Sequence, residues 1–183
     1  MKNEIRKINK IKRREMSKKQ VEEKSRIAAE IFLESSLFKQ AESIMLYKPL
    51  GNETDTWTII HKAYALGKKV VFPVTDKESN IITPYYGEEN SVFKEGAYSV
   101  LEPWGTNIAE KIDVILVPGI AFDKTGARIG FGKGCYDMFL KDNCSIKVGL
   151  CYDFQLYEKI PTNEYDIKMD YIVTEKGIIK CEK

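Results

Sequence analysis

DVILVPGIAFDKTGARIGFGKGCYDMFL, residues 113–140, decides the fold. Asp113–Val117 is short, β-branched and apolar at every position after Asp113, the pattern of a strand buried on both faces of a parallel sheet. Pro118-Gly119 ends it. Beyond, Tyr136, Phe139 and Leu140 recur at helical spacing, so a helix starts close to Gly134. A buried strand, a glycine-rich turn and a helix make the repeating unit of an α/β sheet, where ligands collect beyond the carboxyl ends of the strands. Five of the chain's twelve glycines lie in this stretch. Gly130, Gly132 and Gly134 let the backbone turn sharply and bring N–H groups close to an anion, and the helix start adds partial positive charge. Arg128 and Lys133 supply formal charge. The spacing fits neither well-known phosphate loop. Gly134 follows Lys133 where a Walker motif needs Ser or Thr, with Ala127 at its first glycine, and Cys135 stands where a dinucleotide fingerprint needs its third glycine. A mobile surface loop is the competing reading, and the buried strand and aromatic helix on either side argue against it.

Outward from this unit the chain alternates. Ser17 and Gln20 form a capping box for a helix running to about Leu33, with Val21, Ile27, Ala28 and Ile31 facing inward. Strands are expected at 43–47, 69–74, 80–85, 97–101 and 146–151, a helix at 56–66 closed by Gly67, and a terminal strand pair at 170–173 and 177–180. Such alternation argues for α/β, a single three-layer α/β/α domain with a mostly parallel central sheet over residues 1–183.

Composition narrows the function classes. With 183 residues and 43% hydrophobic content the chain can bury one core. Cys135, Cys144, Cys151 and Cys181 form no C-x-x-C pair, and the single His61 cannot complete a zinc set with them. Reduced thiols and a cytoplasmic location are expected. No apolar run approaches a membrane span or a signal-peptide core. Residues 1–19 hold nine Lys or Arg against Glu4 and Glu15, a net +7 that leaves −5 for the rest of the +2 chain. This cationic arm, at about 1–16, has Ile5, Ile8 and Ile11 at helical spacing, so Lys2, Arg6, Lys10 and Arg13 would project from a helix with one weakly apolar edge. A solvated charged helix, a nucleic-acid contact and a source of two cations for a nucleotide's phosphates are the three readings of it. The absence of interleaved aromatics and the acidic body count against nucleic acid.

Two other places carry acids. Glu53 and Asp55 stand just before a helix; Asp55 or Thr56 suits a helix N-cap, while a carboxylate at a strand end suits the N–H groups of a pterin-like ring. Residues 163–170 are acidic, which solvates a loop; paired with Asp137, one of these acids could help hold magnesium alongside phosphate oxygens and water.

The stretch from Val117 to Leu140 resembles the signature of the 5-formyltetrahydrofolate cyclo-ligases, also called methenyltetrahydrofolate synthetases: an apolar V-P-G strand end, F-D-x-x-G-x-R-x-G-x-G-x-G-x-Y-D, then an aromatic-Leu helix. The similarity extends across nearly the whole chain. Lys2 and Arg6 match the family's N-terminal basic contacts to ATP, Glu53-Thr54-Asp55-Thr56 its E-x-[DE]-T element, and Glu102-Pro103 a common E-P step. Pro161–Asp166 and the strand at Asp170 match its C-terminal segment. The resemblance implies ATP-dependent ring closure of 5-formyltetrahydrofolate to 5,10-methenyltetrahydrofolate, with ATP as co-substrate and Mg2+ as cofactor. It implies that Arg128, Ile129, Gly130, Phe131, Gly132, Lys133, Gly134, Cys135 and Tyr136 wrap the ATP phosphates with Lys2 and Arg6. Lys133 would be the main charge on the transferring group and Arg128 a second clamp. Asp137 and Asp166 would hold magnesium. Leu50 and Asp55 align with folate contacts, Phe131–Cys135 would touch both ligands, and Glu53 would support the pterin end.

Three positions depart from the family pattern. Cys135 replaces a frequent aromatic, Tyr165 a frequent His, and Phe131 a Tyr whose hydroxyl is lost. A single His and no Ser-His-Asp set suit phosphoryl transfer, which needs positioning and charge stabilisation more than a protein nucleophile. The competing expectations are a non-catalytic folate- or nucleotide-binding protein on the same fold and a nucleic-acid protein using the arm. The expected partners are the two small molecules, with no nucleic acid or membrane, and the expected state is a monomer.

Overall fold

The computed structural model describes residues 1–89, 91–103 and 107–182. Helices α1 (Lys2–Glu15), α2 (Lys18–Glu34) and α3 (Ser36–Gln40) precede β1 (Ser43–Met45), and α4 (Trp57–Ala65) joins it to β2 (Lys69–Thr75), which pairs with β3 (Ile82–Gly87). A small antiparallel pair follows, β4 (Phe93–Glu95) with β5 (Leu101–Pro103), and then β6 (Val114–Val117). Next come the hairpin β7 (Ala121–Asp123) and β8 (Arg128–Ile129), α5 (Cys135–Lys141), β9 (Ile146–Leu150) and β10 (Leu156–Tyr157). The terminal pair is β11 (Tyr171–Thr174) and β12 (Gly177–Lys180). The main sheet has seven strands in the order β12-β11-β9-β6-β1-β2-β3, with β6 at its centre. The five inner strands are parallel, and β12 and β3 run antiparallel at the edges.

Why β6 lies at the centre is visible in its side chains. All four residues are buried, Val114 and Leu116 on one face and Ile115 and Val117 on the other, as expected where a sheet is covered on both sides. One face packs against α2, α3 and α4 through Ala28, Phe32, Phe38, Ile59, Ile60 and Ala63. On the other, Leu140 of α5, Phe122 of β7 and Met169 meet Met45, Val71 and Ile115. The β3 edge is covered by 107–109: Tyr86 N–H donates to Asn107 O and Ala109 N–H to Pro84 O, both at 2.9 Å. Among the described residues no helix is long and apolar enough to cross a membrane.

The expected alternation holds, with four corrections. Residues 97–101 are not a strand: a 3₁₀ turn covers Ala97–Ser99, where Tyr98 and Ser99 take left-handed backbone (φ 57° and 61°) that no strand accommodates, and β5 begins only at Leu101. Second, the glycine-rich stretch is not one loop. Asp123, buried, accepts from Thr125 N, Thr125 Oγ1 and Ala127 N on Oδ1 (2.8–3.1 Å) and from Ile160 N on Oδ2 at 2.9 Å, and with Gly126 at φ 84° this folds residues 121–129 into a hairpin. Only 130–134 remain as the loop. Third, the capping box of α2 forms as expected, but its buried face is Ser25, Ala28, Ala29 and Phe32, with Val21, Ile27 and Ile31 half-buried beside it. Ser25 is there because its Oγ accepts the Asp55 N–H at 2.9 Å.

The fourth correction concerns the arm. It is helical as expected, but its apolar edge docks only in part: Ile5 packs half-buried against Ala121, Ala127, Ile129 and Ile160, Ile8 and Ile11 are exposed, and Asn9 and Arg13 are buried. The docking face is polar, running through Lys2, Arg6, Asn9 and Arg13 at helical spacing.

Phe122 links the hairpin to the main sheet. Its ring lies where side chains on Gly119 and Gly149 would stand, 2.4 Å and 2.5 Å from their ideal Cβ positions, so both glycines are required for its seat. Phe122→Ala is expected to lower unfolding free energy by about 3–5 kcal/mol, read as a lower midpoint in urea titration with an unchanged slope.

Candidate active site

One cavity of about 860 Å³ opens beyond the carboxyl ends of β1, β2 and β6, a size typical of small-molecule sites. Its walls come from α1 (Lys2, Arg6), the segments after β1 (Leu50, Glu53) and β2 (Thr75), the turn before β5 (Tyr98), the whole run Arg128–Asp137, and 163–167. Every residue expected at the site lines it except Asp55. The Asp55 carboxylate instead accepts from Trp57 N at 2.6 Å, at the start of α4, and its own N–H donates to Ser25. That is the helix-start role, with Oδ1 satisfying an otherwise orphan donor of the first turn.

The charges at one end are mostly paired within the protein. Lys2 Nζ meets Asp166 Oδ2 at 2.5 Å, and Arg128 NH2 meets Asp137 Oδ1 at 3.0 Å. Arg6 Nε donates to Gly130 O at 2.9 Å and NH1 to Asn3 Oδ1 at 2.7 Å. Arg128 is buried, donates NH1 to Pro118 O at 3.3 Å, and leaves Nε without a hydrogen-bond partner among the described residues. Lys133 differs: it is exposed, its Nζ is 6.0 Å from the Tyr98 ring centre, and no ion pair engages it among the described residues. Gly132 and Gly134 flank it with φ of 103° and 73°, backbone that side chains rarely adopt, so the lysine sits at the apex of a turn only glycines permit. Gly134 then starts α5, seven residues long.

The other end is drier. Glu53 is buried; its Oε2 accepts from Leu50 N at 2.9 Å, and its Oε1 lies 3.5 Å from Arg13 NH2 with no hydrogen bond of its own. Burial pushes its carboxyl above the usual range, and Arg13 and the Leu50 N–H oppose that. Tyr47, also on the wall, donates its hydroxyl to Thr54 O at 2.9 Å, and burial raises it well above an ordinary phenol. Glu102 is raised by burial while accepting from Thr75 N at 2.8 Å. Cys135 lies between the ends; burial pushes its thiol up, so it is an uncharged wall residue rather than a ready nucleophile.

This arrangement resolves into an anion-suited end, where Lys133 stands exposed without an ion-pair partner among the described residues, and an acid-lined end, where the buried Glu53 carboxylate faces Arg13. The sequence profile of the 5-formyltetrahydrofolate cyclo-ligase family matches residues 1–175. The chain belongs to that family, and it is an enzyme. Among relatives, the probable 5-formyltetrahydrofolate cyclo-ligase of Caenorhabditis elegans is 29% identical over 96% of this chain and 93% of its own length. The Escherichia coli K12 cyclo-ligase is 28% identical over 91% of this chain and 96% of its own. The NMR structure of Aquifex aeolicus 5,10-methenyltetrahydrofolate synthetase superposes with a TM-score of 0.88 at 33% identity, covering 100% of this chain and 93% of that one.

Several wall residues of this cyclo-ligase family member escaped the sequence. Tyr98 reaches the cavity from the turn mistaken for a strand, and Glu102, noted only as part of an E-P step, reaches it from β5. Behind the wall, Asn9 and Arg13 continue the spacing of Lys2 and Arg6, a polar periodicity that marks the buried face of α1. Lys48 is buried on the wall with Nζ 3.4 Å from the Phe93 ring centre and 3.7 Å from that of Trp57, close enough for strong cation–π attraction. Burial lowers it to about 8. NMR of ε-13C-labelled lysines should therefore show one signal titrating near pH 8, lost in Lys48→Arg; if every lysine titrates at ordinary values, Lys48 is not desolvated as its place implies.

Proposed function

We propose that this chain converts 5-formyltetrahydrofolate and ATP into 5,10-methenyltetrahydrofolate, ADP and phosphate. The observation that carries the reading is Lys133, a cation held at the apex of a glycine turn without an ion-pair partner among the described residues, in the same cavity as the buried carboxylate of Glu53. A formamide carbonyl is a poor electrophile because its oxygen would leave as hydroxide. The formyl oxygen therefore attacks the terminal phosphorus of ATP and ADP departs. The neighbouring aryl amine then attacks the activated formyl carbon, and the oxygen leaves as part of phosphate. Lys133 faces the charge that spreads over the transferring group, and Arg128, fixed by Pro118 O and Asp137, gives a second, rigid cation. Lys2 and Arg6 bring α1 to the same phosphates. Backbone at Gly130, Gly132 and Gly134 leaves room for close approach, with Ile129, Phe131, Cys135 and Tyr136 completing that wall. Leu50 and Glu53 take the ring, Glu53 accepting from its N–H groups.

Magnesium fits the donors present. Asp137 and Asp166 both line the cavity, and this ion takes one or two carboxylates with phosphate oxygens and water; no cluster of three protein ligands occurs among the described residues. Bound there, it would neutralise phosphate charge. The free thiols of Cys135, Cys144 and Cys151 support a reducing, cytoplasmic setting, and the single chain is taken as the working unit. Lys2, Arg6 and Arg13 turn inward, which weighs against the arm as a nucleic-acid contact.

Two outcomes test this. Methenyl absorbance should rise when protein, 5-formyltetrahydrofolate, ATP and magnesium are mixed, and excess EDTA should abolish it; folate binding with no ADP release would favour a sequestering protein instead. Lys133→Ala should cut kcat by about 10²–10³-fold, the scale of one lost transition-state charge contact, with an unchanged circular dichroism spectrum. Near-wild-type turnover in that variant would remove Lys133 from the mechanism.

A further inference from the structure

Arg13 stands apart from the rest of the α1 docking face. Its NH2 donates to Leu50 O at 3.3 Å and lies 3.5 Å from Glu53 Oε1, while Leu50 N–H donates to Glu53 Oε2 at 2.9 Å. One guanidinium thus ties together the carbonyl and the carboxylate of the two cavity residues assigned to the ring. The tie is reciprocal, since Asn52 Nδ2 donates to Arg13 O at 2.7 Å and Met16 O at 3.2 Å, capping α1 from within the same loop. Both members of the ion pair are about nine-tenths buried. A buried carboxylate is costly unless a charge faces it, and Arg13 is the cation that does so.

We propose that Arg13 is a positioning residue for the substrate's ring: from behind the wall it holds the Leu50 carbonyl and the Glu53 carboxylate together, so that a negative charge is kept at the ring's place in the cavity. This rests on the cyclo-ligase reading above and adds to it a residue that lies behind the wall. The groups facing Glu53 are few. They are Arg13 from α1, Tyr47 after β1, Tyr136 of α5, and Tyr152 after β9, whose hydroxyl donates to Glu53 O at 3.1 Å. The three phenols stay neutral, so Arg13 is the one formal charge among them. Without it, burial acts unopposed except by the Leu50 N–H, and Glu53 takes a proton at higher pH. A protonated acid offers one fewer acceptor and repels one ring N–H.

Affinity of the full chain for 5-formyltetrahydrofolate alone, measured by calorimetry from pH 6 to 9.5, tests the role. In Arg13→Met the acid-side loss of affinity should move to higher pH, read as binding weaker than wild type at the acid end of the range that recovers as pH rises. Arg13→Lys should restore the wild-type profile, and Glu53→Gln should bind weakly at every pH. A wild-type profile in Arg13→Met, or a loss independent of pH, would overturn the positioning role while leaving the cyclo-ligase reading intact. A wild-type chain that binds no folate overturns both. Should Arg13→Met lose its circular dichroism signal, Arg13→Gln, which keeps a donor for Leu50 O, takes its place with the same two outcomes.

Discussion

Everything at the site depends on a helix that is docked by hydrogen bonds rather than by an apolar stripe. Asn9 is the pivot: fully buried, it donates Nδ2 to Ile120 O at 2.8 Å and accepts from Tyr157 OH at 3.0 Å, joining α1 to the segment between β6 and β7 and to β10. Each such bond contributes only about 0.5–1.5 kcal/mol net, but an unmade one leaves a buried polar group costing about 1–3 kcal/mol. A one-residue slip of α1 would turn its face by about 100° and break the contacts of Lys2, Arg6, Asn9 and Arg13 together. Register is therefore fixed by polar satisfaction, and the same constraint places Lys2 in the cavity wall and Arg13 behind it, against Glu53.

The consequence for charge is a site largely self-neutralised at rest. Asp166 answers Lys2 and Asp137 answers Arg128. Polyphosphate arriving there would exchange partners with these carboxylates instead of meeting bare cations, and the acids it frees are the ones suited to a divalent ion. A small anion would gain less from displacing two carboxylates than a chain of phosphates with its own metal. Lys133, by contrast, has no ion-pair partner among the described residues to give up.

The central strand, the helix after Gly134, the capping box and the terminal hairpin were legible because each has a local signal: a buried apolar run, a left-handed glycine, a Ser-x-x-Gln pair, a short β-branched repeat. What escaped was set by distant partners. The β7–β8 hairpin has strands of three and two residues, too short for periodicity, and exists because Asp123 gathers donors from its own turn and from Ile160. The Ala97–Leu101 stretch has strand composition, yet Glu102 folds over Gly96, its Oε2 lying 1.9 Å from where a Cβ would stand. For α1 the apolar spacing of Ile5, Ile8 and Ile11 pointed to the wrong face, since its partners are carbonyls and carboxylates. Asp55 matched a motif, but its carboxylate is spent on the first turn of α4.

The cover that residues 107–109 lay along β3 carries a meaning for how chains of this protein meet one another. An open sheet ends in a row of free N–H and C=O groups, a template for a strand from a neighbouring molecule. Here Tyr86, Pro84 and their partners occupy that template from within, and Pro84 withholds a donor from it. The seal forms only after the chain has passed through β4 and β5, so a nascent or partly unfolded chain presents β3 bare. Until residues 107–109 are in place, β3 is an edge at which a neighbouring chain could pair.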